Sequence, residues 1–211
     1  MIARDYFARG FCLFKRYYFP AGFRDSQGFE NPQSQFRNLH SFLTTHMEIL
    51  ELATENTSKY KRFFLQGLVA HPDTFRISEN DELSAPFPTN NLPDSFTLAA
   101  TSGNGDWMGV VSFQREGSDR ERLRHKGLLF RMYVAAAFGG QGVGGALVAE
   151  VVRRARQLEN MEQVNLTVIA TNEKAKSLYA KFGFRTYGLE KNAVKHEGYY
   201  LDEEQMALFL K

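Results

Sequence analysis

From Met47 onward the apolar and polar positions fall into short periods that read as secondary-structure elements. Glu48-Ile49-Leu50-Glu51-Leu52-Ala53 suits a first strand. Ser58 then stands where a helix N-cap belongs, and the spacing predicts a helix to about Ala70. Tyr60, Phe63, Phe64, Gly67 and Leu68 share one face of it, and Pro72 bars continuation. A polar stretch with Pro86, Pro88 and Pro93 reads as a loop. Phe96–Ala100 and Trp107–Phe113 read as a strand pair. The turn between them, Ser102-Gly103-Asn104-Gly105-Asp106, is rich in residues that tolerate positive φ. Charged residues 115–126 form a solvated link, and Leu128–Val134 is a further strand.

A helix is expected from about Gly142 to Leu158, with Val143, Leu147, Val148, Val151, Ala155 and Leu158 as its apolar stripe. Val164–Ala170 is the next strand. Asn172 can cap a helix in which Ala175, Leu178, Tyr179 and Phe182 follow i, i+3, i+4, i+7 spacing, and Gly183 suits its C′ position. Phe184–Leu189 and Gln205–Leu210 complete the sheet. The order β-α-β-β-β-α-β-α-β-β implies an α/β fold with a mixed sheet flanked by helices, not a doubly wound parallel one.

Residues 1–46 lack such order. They hold eight of the 19 phenylalanines without a helical or strand period, and Pro20, Gly22, Gly28 and Pro32 interrupt them. One reading is an aromatic docking or dimerisation arm. The simpler reading, taken here, is a poorly ordered or non-native extension before a domain of residues 47–211.

Bulk composition narrows the classes. Hydrophobic residues make up 43% of the 211, enough for a packed core. Cys12 is the one cysteine, so no intrachain disulfide forms, which fits a reducing compartment. No apolar run reaches the ~20 residues of a membrane span, and the N-terminus lacks the uninterrupted apolar region of a secretory signal. A soluble cytoplasmic protein is the expectation. Six cations and three acids in residues 1–46 give +3, which leaves −1 of the net +2 for the rest. A near-neutral domain offers no electrostatic footprint for nucleic acid.

Candidate chemistry sits in Gly139-Gly140-Gln141-Gly142-Val143-Gly144-Gly145-Ala146. Such a run can be a plain flexible loop. Its position argues otherwise, because glycine in a first helical turn costs about 1 kcal/mol per residue relative to alanine. Close approach of a phosphate to free helix N–H groups supplies a reason. Gly140-x-Gly142-x-x-Gly145 matches the dinucleotide fingerprint literally. That reading fails on three counts: about five residues intervene after Val134, Ile169–Asn172 offers no acid for a ribose, and only 66 residues follow Gly145. A Walker loop is excluded because no Gly-Lys-Ser/Thr follows.

Tyr133-Val134, a short link and the glycine run through Leu147 resemble motif A of the GNAT acetyltransferases, Gln/Arg-x-x-Gly-x-Gly/Ala after the fourth strand. Gly142 and Gly144 fill its two glycine positions. The Gln/Arg position falls on Gly139, a departure that bears on one side-chain contact to the pyrophosphate and leaves the backbone cradle intact. Asn172-Glu-Lys-Ala175-Lys-Ser-Leu178-Tyr179-Ala-Lys-Phe-Gly183-Phe184 is similar to the family's Asn-x-x-Ala-x-x-Leu-Tyr-x-x-x-Gly-Phe, and Tyr200–Met206 resembles its last-strand signature. The resemblance covers Met47 to Lys211.

The resemblance implies the GNAT fold, with the fourth and fifth strands splayed into a cleft. It implies acetyl-CoA as acyl donor, no metal, and direct attack by a primary amine of a small molecule or peptide. Pantetheine would lie along Met132, Tyr133 and Val134, and the pyrophosphate on Gly139, Gly140, Gln141, Gly142, Val143, Gly144 and Gly145. A fourth-strand amide would face the thioester oxygen. Tyr179 matches the family's tyrosine acid for the departing thiolate, although its place on the apolar stripe also suits a core residue. Glu116 and His125 are candidates for the general base, a base acting through water is the alternative, and both residues more simply suit a solvated, charged link. Asn172 would contact the cofactor or simply cap its helix. Lys174 and Lys176 would meet a phosphate or face solvent. A non-catalytic CoA-binding module and a transferase using another acyl-CoA are the alternative functions. A homodimer is compatible with the sequence, which sets no oligomeric state.

Overall fold

The computed structural model describes residues 47–211. The calls on residues 1–46 lie outside them. Seven strands and four helices follow one another: β1 Glu48–Leu52, α1 Thr57–Ala70, α2 Glu79–Ser84, β2 Ser95–Thr101, β3 Trp107–Arg115, β4 Lys126–Val134, α3 Val143–Ala155, β5 Gln163–Ile169, α4 Glu173–Lys181, β6 Arg185–His196 and β7 Tyr199–Phe209. The strands form one sheet in the order β1-β2-β3-β4-β5-β7-β6. Every neighbouring pair is antiparallel except β4 and β5. None of the helices described is long and apolar enough to cross a membrane.

Strand alternation divides the core between the two faces of the sheet. On one face Leu98, Val111 and Leu129 meet Leu147, Val148 and Val151 of α3, together with Tyr179 and Phe184. On the other face Ala99, Val110 and Tyr133 meet Tyr60, Phe63, Phe64 and Leu68 of α1. The α1 residues are those its helical period selects. Each fully buried Leu, Val or Phe contributes about 1.5–3 kcal/mol, so two filled faces hold β4 firmly between α1 and α3.

The structure corrects several boundaries. Ser58 does not cap α1. The helix starts at Thr57, directly out of a 3-10 turn at Thr54–Asn56, and Asn56 Oδ1 accepts from the Ala53 amide at 2.9 Å. The stretch read as loop contains α2. Ser78 and Asp81 exchange hydrogen bonds across its first turn, a capping box in a segment too short for periodicity to reveal. β6 and β7 extend to a tight turn at Glu197-Gly198. Their outer halves are exposed or half-buried on both faces and mix charges with Tyr199 and Tyr200, so no alternation marks them.

Candidate active site

β4 and β5 pair only from Lys126–Leu128 to Gln163–Asn165. Beyond Leu128 the β5-facing edge of β4 has no strand partner among the described residues, and the two strands open into a cleft. A β-bulge lies beside the opening. Val110 pairs with Tyr133 and Ser112 with Phe130, so β4 carries one residue more than β3 over that interval. Arg131 takes up the excess at φ +49°, an uncommon conformation for a non-glycine residue. The bulge reverses the phase of the strand. Leu129 packs on the α3 face, and after the bulge Met132 does so too, while Tyr133 turns to α1. Tyr133 packs against Phe63 with ring centroids 5.2 Å apart, so only its backbone is left to the cleft.

The glycine loop joins the α3 face of this opening. Gly140 and Gly142 have φ +76° and +83°, conformations that suit glycine, and a Cβ at either would stand in open space. Gly142 is the N-cap of α3. The Ala146 amide closes the first helical bond, to the Gly142 carbonyl at 2.9 Å. The amides of Val143, Gly144 and Gly145 precede it and have no acceptor within the helix. Gly144 serves packing instead. A Cβ there would lie 3.1 Å from Leu178 and 3.2 Å from Met132, so glycine lets α3, α4 and β4 converge. The Gln141 side chain folds back to donate to the Ala137 carbonyl at 3.0 Å.

Lys174 supplies a cation at this loop. Its Nζ comes within 3.8 Å of where a Cβ on Gly139 would stand. Among the described residues no carboxylate forms an ion pair with it. Lys176 is different. It is held by Glu173 at 2.7 Å, Glu204 at 2.8 Å and the Ala170 carbonyl at 2.8 Å, and is committed to the fold. Asn172 is the N-cap of α4, accepting from the Ala175 amide at 3.1 Å. Its carboxamide nitrogen is not needed for that bond.

Tyr179 is 7% exposed and packs beside Phe184. Its hydroxyl donates to Met132 Sδ at 3.5 Å, a weak acceptor, so it points at β4 just past the bulge. Burial pushes its acidity well below that of a free phenol, and it stays protonated through neutral pH.

Glu116 and His125 are not brought to this place. Glu116 lies beyond the end of β3, and its carboxylate accepts from Asn165 Nδ2 at 2.7 Å. Asn165 is level with Leu128, four residues from Met132 with the bulge among them, or roughly 10 Å along the strand. His125 precedes β4 altogether, and its carbonyl accepts from the Glu162 amide at 2.8 Å. Both sit at the closed end of the β4–β5 pair.

The α1 face of the opening holds two buried carboxylates that no periodicity marks. Glu82 of α2 is fully buried, with Arg131 Nη1 2.9 Å from its Oε2. Glu203 of β7 is 1% exposed, with Arg76 Nε at 3.2 Å. Burial raises the pKa of both above the ordinary carboxylate value, and the nearby arginines partly offset the rise.

Comparison with known proteins bears on the fold and the family. Residues 53–184 match the model of the acetyltransferase (GNAT) family. No protein of curated function matches the chain in sequence. Among solved structures, the GNAT-family acetyltransferase of Streptococcus pneumoniae superposes with a TM-score of 0.67 at 21% identity, covering 78% of this chain and 99% of its own. An N-acetyltransferase from Staphylococcus aureus gives 0.67 at 18%, covering 79% and 100%. The protein yncA of Salmonella typhimurium, solved with its cofactor acetyl-CoA, gives 0.65 at 18%, covering 79% and 95%. At these identities the likeness is one of fold.

Proposed function

This chain belongs to the acetyltransferase (GNAT) family, and we propose that it transfers the acetyl group of acetyl-CoA to a primary amine by direct attack in a ternary complex. Members of the family act on amine-bearing substrates. The observation that carries the reading is the loop at the N-terminus of α3, where free amides, two open positive-φ glycines and the Lys174 ammonium converge beside the splayed edge of β4. Helix N–H groups and a cation are what a pyrophosphate requires. The unpaired edge of β4 at Met132–Val134 suits the amides of an extended pantetheine arm, as a strand edge suits a peptide.

The chemistry follows from placement. A β4 amide past the bulge donates to the thioester oxygen as negative charge develops there; such preorganised donors are worth roughly 3–4 kcal/mol elsewhere. The neutral amine forms the new C–N bond as the C–S bond breaks, and the proton its nitrogen sheds leaves through water, which also returns a proton to Tyr179. The departing sulfur takes its proton from Tyr179, whose hydroxyl already faces Met132. No cysteine occurs in residues 47–211, so attack proceeds without an acyl-cysteine. We take residues 47–211 as the catalytic domain.

Two measurements test this reading. Acetyl-CoA at a hundredfold excess over its Kd stabilises the fold by about 2.7 kcal/mol, seen as a raised Tm, whereas NAD and ATP do much less. Thiol release is then screened with polyamines, aminoglycosides, amino acids and peptide N-termini. An unchanged Tm in millimolar acetyl-CoA overturns the cofactor assignment. Thermal shift without thiol release from any amine leaves a CoA-binding module.

Lys174 yields a separate expectation. Lys174→Gln raises the Kd of acetyl-CoA roughly fivefold, since an exposed charge contact is worth up to about 1 kcal/mol. Saturated turnover stays the same, and the dependence of binding on salt weakens. An unchanged Kd and salt slope show that Lys174 faces solvent only.

A further inference from the structure

We propose that Glu203 holds a second, non-reacting cationic group of the acceptor, and that Arg76 occupies this carboxylate until the acceptor arrives. The inference rests on the acetyltransferase reading and names its substrate class: a primary amine that also bears an ammonium or guanidinium group.

Glu203 is an unusual residue to bury. Among the described residues its one ion pair is with Arg76, whose own side chain is 56% exposed on the segment between α1 and α2. Neither carboxylate oxygen receives a hydrogen bond from any described residue, although both are inaccessible to solvent. The Arg76 contact is therefore close in charge but poorly aligned. A buried carboxylate left this way is costly unless something else completes its shell. Glu190, its cross-strand neighbour on β6, adds like charge and does not help.

Its place in the sheet points to the acceptor. Glu203 pairs with Ile169, and Asn165 pairs with Leu128. Four residues further along β5, and with the extra residue of the bulge counted on β4, Ile169 comes level with Met132–Tyr133, where the bulge and Tyr179 mark the reacting end. β7 is two strands from β4, so Glu203 lies roughly 10 Å across the sheet, or more where the strands diverge. Neighbouring Glu204 reaches Lys176 on the α4 side, so by strand alternation Glu203 faces the α1 side. The glycine loop and Tyr179 occupy the α4 side. The donor thus comes from one face and the acceptor from the other, with Glu203 on the acceptor face. The separation suits a second charge several methylene groups from the attacking nitrogen.

Arg76 is built to be displaced. Its segment is tied to the β6–β7 hairpin at Asp73, which accepts from the Tyr199 hydroxyl and lies 3.6 Å from His196 Nε2. The strap stays anchored there while the exposed Arg76 side chain swings out. Its guanidinium marks where the cation of a substrate would sit.

The test compares agmatine with n-butylamine, by thiol release under saturating acetyl-CoA and by calorimetric binding in the presence of CoA. The parent protein favours agmatine. Glu203→Gln weakens agmatine binding about thirtyfold or more, as expected for loss of one partner of a desolvated charge pair, and erases the preference. Arg76→Ala acts in the opposite direction and tightens agmatine binding severalfold, because the competing cation is gone. A merely structural ion pair predicts that both variants lose Tm and that both amines suffer alike. That pattern overturns the proposal, as does agmatine binding unaffected by Glu203→Gln or absent from the parent. Glu203-dependent binding without thiol release preserves this assignment and defeats the transferase reading. Thiol release indifferent to Glu203 does the reverse.

Discussion

Gly142→Val abolishes stabilisation by acetyl-CoA. Two costs combine at this residue. Gly142 sits at φ +83°, where a side chain costs about 1–2 kcal/mol and a β-branched one more. The new side chain also enters the open space over the first-turn amides, the volume assigned to the pyrophosphate. Losing that seat removes charge-assisted hydrogen bonds worth several kcal/mol, so Kd rises at least about a hundredfold. The unliganded fold loses only the conformational cost, because a Cβ there meets nothing within 4 Å. Gly144→Val fails for another reason. Its side chain drives into Leu178 and Met132, pushing α3 off β4, so Tm falls even without ligand. Thermal shifts of both variants, with and without acetyl-CoA, separate the two effects. A Gly142→Val protein that keeps the full shift removes the loop from the cofactor site.

Tyr179→Phe lowers turnover by tens- to hundreds-fold with little change in acetyl-CoA binding. General acid catalysis commonly contributes 10²–10⁴-fold, and the low end applies because a thiolate is already a fair leaving group. The substitution keeps the ring against Phe184 and removes only a hydroxyl whose partner is the weak acceptor Met132 Sδ. Tm therefore changes little, by less than a buried amide hydrogen bond would cost. The pH profile gives a second reading. An acid must be protonated to act, and burial raises the Tyr179 pKa, so its contribution persists as pH rises through the ordinary phenol value. The parent profile shows no Tyr179-dependent fall near pH 10. A core role predicts the opposite: lower Tm with intact turnover per folded molecule. Saturated turnover equal to the parent's shows that Tyr179 is not the acid.

Elements with strong local signals were legible in the sequence. α1 and α3 bury the residues their 3.6-residue period selects, and Asn172 and Gly183 bound α4 as their capping chemistry requires. The glycine turn that opens α3 and the place of Tyr179 on α4 belong to this class as local structure, because each lies in a short motif set by nearby backbone, whereas their roles toward a cofactor are proposals. α2 and the outer halves of β6 and β7 were not legible. The first is too short for a period, and the others alternate no hydrophobicity because both faces meet solvent.

What the chain order could not convey is which distant residues meet. Glu116 and His125 precede β4 in sequence, yet pairing of Lys126–Leu128 with β5 leaves them at the closed end of the cleft. Lys174 lies 35 residues from Gly139 and comes beside it because α3 and α4 pack on one face of the sheet. The bulge at Arg131 depends on register with β3, and it alone decides that Met132 faces Tyr179 while Tyr133 faces α1. Glu203 reads as one of three consecutive acids, an ordinary solvated run. Strand alternation beside β5, and a loop that crosses from α1, turn it into a buried charge. Local periodicity and capping act over a few residues and so were written in the sequence. Register, phase and burial of single charges arise from contacts between segments far apart, and the tertiary structure alone decided them.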